Sequence, residues 1–476
     1  MSGRFDDVRA VLDDRMDTHR QDLEALVRLP SVSAAGFDPG QVRRCAEAVR
    51  ELLAARGLDN AVLLEVVGTH PAVYADWLHA GPDAPTVLLY AHYDVQPIGD
   101  PAAWSSPAFT PTEREGRLFG RGAADDKAGI LAHVAAVDAW LRARGALPVN
   151  LKVIIEGEEE IGSEHLMQFL DAHGELLRAD VVVVTDLENW AVGTPSITYL
   201  LRGLIDAVVQ VRALDHTLHS GMYGGPVPDA LHALVKLLAR LTDERGDVAI
   251  PGFADDVRPL SPAERARLDA LDFDEAHFRA DAGVPDGVEL LGDPSTPVLE
   301  RLWARPALSI LGLDAPAVAL SSNTLSPAAA ARVSIRLAPG QDPARATKLL
   351  ADFLREQAPW GVRVEVTPGW CAGAWSEEPT GPAFEACARA LEAAYGAPAV
   401  FTGVGASLPF VEAVTSALDG VPALLLGVED PDSRAHGVDE SLHLGDFRNA
   451  CLGEAYLLGE LAALGRASVR GEQARA

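Results

Sequence analysis

Residues 149–160 read VNLKVIIEGEEE, a short apolar run that ends in a knot of carboxylates. A near-continuous apolar run of this length suits a strand covered on both faces. Two other runs have the same character. TVLLYA at 86–91 leads into His92, Tyr93 and Asp94, and VVVV at 181–184 leads to Asp186 and Glu188. Between the first two strands, Ile130, Val134, Val137 and Leu141 recur at helical spacing, and Gly145 follows as a stop. Strand–helix–strand alternation of this kind implies an α/β fold, with a mostly parallel sheet sandwiched by helices.

Working outward, Val8, Leu12, Met16, Leu23, Leu26 and Val27 mark an N-terminal helix, and a second runs near 43–56 and stops at Gly57. Past residue 198 the character changes. DAVVQV at 206–211 alternates weakly and reads as an edge strand. Asp229 is placed to cap a helix through Leu231, Leu234, Leu238 and Leu241. Residues 243–314 are rich in Pro, Gly and charge and read as long connections with short helices. RVSIRL at 332–337 and VRVEV at 362–366 alternate as strands around a helix at 343–356. A helix at 384–395, a buried strand at 423–426 and a closing helix at 447–464 complete the pattern, and 466–476 reads as a frayed tail. The expected organisation is a first catalytic part at 1–198, an inserted α+β domain at 199–375 and a second catalytic part at 376–476.

The chain has 476 residues, 40 basic and 69 acidic side chains, and a net charge of -29. Its 48% hydrophobic content excludes wholesale disorder. The acidity argues against nucleic acid and anionic membranes as partners. Cys45, Cys371, Cys387 and Cys451 are scattered, so they form neither a disulfide framework nor a thiolate metal site. The charged N-terminus is no secretory leader, and no apolar run approaches a membrane span. A cytoplasmic protein is expected.

In parallel sheets, ligands bind beyond the carboxyl ends of the strands. Those ends carry His92 and Asp94, then Glu156 and Glu158 to Glu160, then Asp186 and Glu188, then Glu429, Asp430, Asp432 and His436. Asp125 and Asp126 stand at a helix start after Gly120-Arg121-Gly122. Alone, each has a bland reading. A Glu run is a solvated loop, two Asp before a helix are caps, and a His after a strand is structural. Recurrence at successive strand ends favours the chemical reading. So many acids need counter-charge, and Arg121 and Lys127 are too few. A pair of divalent cations would supply it, and two imidazoles with several carboxylates suit zinc, with manganese or cobalt as substitutes. His133, His165, His173, His232 and His277 keep a structural reading. The Gly-Arg-Gly stretch is too short for a dinucleotide fingerprint, and no Walker lysine is present.

At these residues the chain resembles the dinuclear zinc exopeptidases related to carnosinase and cytosolic non-specific dipeptidase. The wider family includes aminoacylases and succinyl-diaminopimelate desuccinylase. The motifs are YAHYDVQP at 90–97, GRGAADDKAG at 120–129, EGEEEIGSE at 156–164, TDLENW at 185–190, LHSGMYGGP at 218–226, SIRLAPG at 334–340 and AHGVDE at 435–440. Each is moderately specific; their order along nearly the whole chain is highly specific. LHSGMYGG, and Asp rather than Glu at 186, point to the dipeptidase branch.

The resemblance implies two divalent ions per subunit. His92 and Asp186 would bind one, Glu160 and His436 the other, and Asp125 would bridge them. Asp94 would orient His92. Glu159 would be the general base that takes a proton from a bridging water and returns it to the leaving amine. His219, from the inserted domain of a partner subunit, would stabilise the oxyanion, so the insert would serve as lid and dimerisation domain of a homodimer. Without the resemblance, His219 reads as a turn residue before Ser220-Gly221. Arg336 would pair with the free carboxylate of a small dipeptide substrate, with Thr324 and Ser407 as further contacts; read alone, Arg336 is a surface strand residue. The chain departs from the dipeptidase pattern at 402–407, TGVGAS, which lacks a charged residue before Ser407. A smaller, more apolar pocket is expected there. Two alternatives stay open: an N-acyl-amino-acid deacylase with the same metal chemistry, and a catalytically silent metal-binding interaction protein.

Overall fold

The computed structural model describes residues 3–470. The chain forms two compact units, one of Met1–Tyr199, Glu377–Thr402 and Phe410–Ala476, the other of Leu200–Ser376 and Gly403–Pro409. No helix among the described residues is long and apolar enough to cross a membrane.

The first unit is built on a mixed sheet whose middle is parallel. Its four central strands lie in the order Asn150–Glu156, Thr86–His92, Val181–Glu188 and Ala423–Glu429. Antiparallel strands Ala72–Trp77 and Asp59–Leu64 extend one side, and Ser196–Leu201 pairs antiparallel on the other. Val181 to Val184 are fully buried, as a strand covered on both faces requires. The helix Lys127–Arg144 is buried from Lys127 to Trp140, so its sequence is apolar on every face rather than striped. It packs on the sheet between Asp6–Val27 and Leu444–Leu464. These helices press the start of Lys127–Arg144 against the strand ends. A Cβ on Gly129 would collide with the carbonyl oxygen of Thr185, one residue before Asp186.

One buried group on Asp6–Val27 makes stability depend on pH. His19 is fully buried, and neither ring nitrogen has a hydrogen-bond partner. Burial lowers its pKa to about 4, against the opposing pull of Asp138, whose carboxylate lies 3.6 Å from Nε2. Arg56, Arg15 and Arg142 reinforce the lowering. The unfolded imidazole takes a proton near 6.5, which the folded one refuses until about pH 4. This contribution is intact above pH 6.5 and is lost as pH falls towards 4. The melting temperature is expected to drop over that interval, and less steeply in His19→Gln. Parallel calorimetric profiles of the two proteins would refute this.

The second unit holds a four-stranded antiparallel sheet, in the order Ala307–Asp314, Ala328–Leu337, Gly203–Arg212 and Arg363–Ala372. Helices Ala230–Leu238 and Pro343–Glu356 cover one face, and Asp229 caps the former by accepting from the His232 amide at 2.8 Å. Two expectations are corrected here. Gly203–Arg212 is an interior strand, not an edge, because it pairs on both sides. Ile205, Ala207, Val209 and Val211 face the helices, and the apolar Val208 on the other face blurs the alternation. One edge is Ala307–Asp314, hidden inside the stretch expected to be connections, and the other is Arg363–Ala372. A bulge between Ile310 and Gly312 breaks its period of two, and Ile310, Leu311 and Leu313 are exposed. The expected frayed tail begins as a short helical turn, Arg466–Val469; residues 471–476 lie outside the described residues.

Candidate metal centre

Three parallel strand ends, one helix start and one loop converge in the first unit. His92 closes its strand, and its Nδ1 lies 3.1 Å from the carbonyl oxygen of Asp94. That contact assigns a proton to Nδ1 and makes Nε2 the nitrogen that could ligate a metal. Nε2 is buried with no hydrogen-bond partner, 3.0 Å from Asp125 Oδ1 and 3.3 Å from Asp186 Oδ1. The other oxygen of Asp125 lies 3.1 Å from His436 Nε2, which is also 3.1 Å from Glu160 Oε2. Asp125 is thus shared by two donor triads, His92–Asp125–Asp186 and Asp125–Glu160–His436.

This donor set fits divalent cations. A tetrahedral ion with bonds of about 2.0–2.2 Å holds its ligand atoms about 3.3–3.6 Å apart, close to the spacing here. The titration of the groups agrees. Burial raises the pKa of Glu160 to about 7, with the Asp125 charge adding to it. Burial pushes Glu159 well above the usual carboxylate range and also raises Asp186. Hydrogen bonds to Asp125 and Glu160 raise His436 to about 11. Burial disfavours the charged form of His92, but Asp186, Asp125 and Asp94 outweigh it and hold the ring well above its ordinary value. Without metal, then, the cluster is balanced by taking up protons, and divalent cations would replace them.

The surrounding shell fixes the geometry. The carboxylate of Asp94 accepts the backbone amides of Glu159 at 3.3 Å and Glu160 at 3.1 Å. Asp94 therefore holds His92 mainly through its carbonyl and holds the glutamate turn through its side chain. Glu160 also accepts from the backbone and side-chain amides of Gln96, at 2.9 and 2.8 Å. Glu159 belongs to neither triad; its carboxylate lies 3.9 Å from His92 Nε2 at the rim. Glu158 turns away, accepting from the His70 amide at 2.8 Å and pairing with His165 Nδ1 at 2.9 Å. Asp126 does cap the helix, accepting from the Gly129 amide, whereas Asp125 faces the centre. The nearby bases serve elsewhere: the Nζ of Lys127 donates to the carbonyls of Leu26 and Leu29. His133 is structural, held between Glu454 and the Tyr90 carbonyl.

One residue without an expected role ties the centre together. Glu440, fully buried, accepts from Arg121 Nη1 at 2.6 Å and from the amides of Gly122, Ala124 and Asp125 at 3.0, 3.0 and 3.2 Å. It thereby locks the loop carrying His436 to the loop carrying Asp125. Its only sequence signal is an acid four residues after a candidate ligand. Glu440→Gln leaves an amide facing these donors and is expected to weaken metal binding about 10–100-fold. Competition with a chelating dye checks this; unchanged affinity in the folded variant would refute it.

The remaining expected site residues group within the second unit. His219 and Thr324 are register partners in the short ladder of Leu218–His219 with Thr324–Leu325. The exposed His219 also accepts from the Gly221 amide through Nδ1 at 3.1 Å, the turn role expected of it without any resemblance. Arg336 donates to Ser407 Oγ at 3.1 Å and, among the described residues, has no carboxylate against it. The loop at 403–407 lies tightly on its surroundings. A Cβ at Gly403 would meet Trp303 at 3.0 Å, and one at Gly405 would meet Arg202 at 2.8 Å.

Comparison with known proteins gives the same picture. The model of peptidase family M20/M25/M40 matches residues 88–458. A cysteinylglycine-S-conjugate dipeptidase from Corynebacterium striatum is 36% identical over 378 residues, covering 79% of this chain and 81% of the relative. The structure of the dipeptidase Dug1p from Saccharomyces cerevisiae superposes with a TM-score of 0.85 at 26% identity, covering 97% of this chain and 99% of that one. Human carnosine dipeptidase 1 gives a TM-score of 0.83 at 26% identity, with the same coverage. The shared aspartate, its two flanking triads and a family match spanning most of the sequence lead to one assignment: this chain belongs to peptidase family M20/M25/M40.

Proposed function

We propose that the protein is a dipeptidase working with two divalent ions per subunit, zinc as the native metal and manganese or cobalt as functional substitutes. The observation that carries this reading is Asp125, whose two oxygens each face a separate imidazole–carboxylate pair. His92 and Asp186 would hold one ion, Glu160 and His436 the other, and Asp125 would serve both. Bound divalent ions supply Lewis acidity, which lowers the pKa of water and polarises a carbonyl. Asp94 keeps His92 oriented and the glutamate turn in place. Glu159 takes the proton of the attacking water and delivers it to the leaving amine nitrogen. Arg336, with Ser407 and Thr324, binds the free carboxylate of the substrate, and the uncompensated guanidinium supports this.

His219 donates to the developing oxyanion across a homodimer, with the inserted domain as lid and dimerisation element. The exposed apolar edge strand Ala307–Asp314 supports self-association, since an unpaired edge of this kind is a natural pairing surface. The four free thiols support a reducing, cytoplasmic setting. The dipeptidase activities named for the relatives support the substrate class.

The test is a panel of free dipeptides assayed beside acetyl- and succinyl-amino acids on metal-loaded protein. Dipeptides are expected to dominate. Dominant turnover of the acylated compounds would replace this reading with a deacylase, and no turnover of either would end it.

A further inference from the structure

The loop at 403–407 has little of its own to hold it in one shape. It reads Gly-Val-Gly-Ala-Ser, rich in glycine and without charge, so its backbone is costly to order. Ser407 must nevertheless stand where its Oγ accepts from Arg336 Nη1 at 3.1 Å. Arg202, in the same unit, supplies the restraint. Its backbone amide donates to the Val404 carbonyl at 3.3 Å, and its Nε donates to the Gly405 carbonyl at 3.0 Å. Its Nη1 donates to the Arg305 carbonyl at 3.2 Å, just past the helix Val298–Ala304. One guanidinium thus ties the loop to the segment whose Trp303 packs on Gly403. Gly405 leaves the room this needs: a Cβ there would meet Arg202 Nη2 at 2.8 Å and the Leu302 carbonyl at 3.1 Å.

Arg202 is itself held firmly. It is 7% exposed, and a Cβ on the adjacent Gly203 would collide with the backbone at 372–374. Gly203 pairs with Leu337 and Leu204 with Arg336, so the two arginines leave the same end of one strand pair. Both reach the same short loop, Arg202 at Gly405 and Arg336 at Ser407. Among the described residues neither has a carboxylate against it. Arg202 donates only to carbonyls, and Glu300, on the helix before Arg305, is committed to Arg265 and Arg305. Burial lowers the pKa of Arg202 to about 10, and the Arg336 charge adds to the lowering, so the guanidinium stays charged at neutral pH. Two uncompensated positive charges on one loop favour an anion beside it.

We propose that Arg202 is a positioning residue for recognition of the substrate carboxylate: by holding the loop at 403–407 it fixes Ser407 beside Arg336, and it acts through that serine. The inference rests on the reading of Arg336 and Ser407 as the carboxylate subsite of a dipeptidase. Lysine is no substitute, because a compact ammonium cannot span the Gly405 and Arg305 carbonyls as the planar fork does.

The experiment measures kcat and KM for one dipeptide and its C-terminal amide on metal-loaded wild type, Arg202→Lys, Ser407→Ala, the double variant and Gly405→Ala. Wild type should bind the free acid with the lower KM. In Arg202→Lys, KM for the free acid is expected to rise about tenfold, with kcat near wild type and KM for the amide unchanged. Ser407→Ala should give a rise of similar size, and the double variant should be no worse than the worse single one, because both substitutions remove the same interaction. Gly405→Ala, which displaces the same guanidinium from the loop side, should reproduce the effect and keeps the test decisive if Arg202→Lys does not fold. An unchanged acid-to-amide KM ratio in the variants, a parallel rise for acid and amide, or additive effects with Ser407→Ala would overturn the positioning role and leave the carboxylate subsite standing. A wild type that cleaves dipeptides without preferring the acid to the amide would overturn the subsite, and the inference with it.

Discussion

Glu159→Gln is expected to lower turnover by about 10³-fold, within the roughly 10²–10⁴ that general-base catalysis contributes, while metal content stays at the wild-type level. The two halves of this result have separate structural origins. Metal content would be preserved because Glu159 is in neither triad, and Glu160, the proposed ligand beside it, has its own supports in Gln96 and, at its backbone amide, the Asp94 carboxylate. Turnover falls because the carboxylate that stands 3.9 Å from His92 Nε2 at the rim of the centre can no longer accept a proton. Glutamine keeps the shape and removes only the basicity. Elemental analysis and steady-state rates on one preparation check both halves. Full activity would remove Glu159 from its role, and zinc loss would make it a ligand.

Stripping the ions with a chelator is expected to abolish activity and to lower the melting temperature by several degrees, and added zinc should restore both. A ligand present at about a thousand times its dissociation constant stabilises the folded state by about 4 kcal/mol. Removing it also leaves Asp125, Glu160 and Asp186 crowded around two imidazoles with only protons to balance them. Loss of both activity and stability distinguishes removal of resident ions from inhibition by the chelator itself. Metal-free protein that remained fully active would refute the metal centre.

The parallel core and the gathering of candidate ligands at its strand ends were legible because one physical pattern carries both. VVVV and TVLLYA read as buried strands, and their carboxyl ends are where acids and imidazoles gather. The tandem Asp125 and Asp126 show the limit of that reasoning. The two are chemically alike, and only the fold separates the one that caps a helix from the one that faces both triads. The edge strand Ala307–Asp314 escaped because its bulge destroys the period and its apolar residues are exposed. Glu440 escaped because its role lies in four donors from a loop more than 300 residues away, which no local pattern encodes.

The two imidazoles of the centre differ sharply in access to solvent: the His92 side chain is 1% exposed, that of His436 59%. Exchange with the medium must therefore be asymmetric. An ion held at the His436 half would lie in a shallow harbour, whereas one held at the His92 half would lie in an enclosed berth. Metal depletion would accordingly pass through a half-loaded species, and the identity of the retained ion would record what was available when the chain folded.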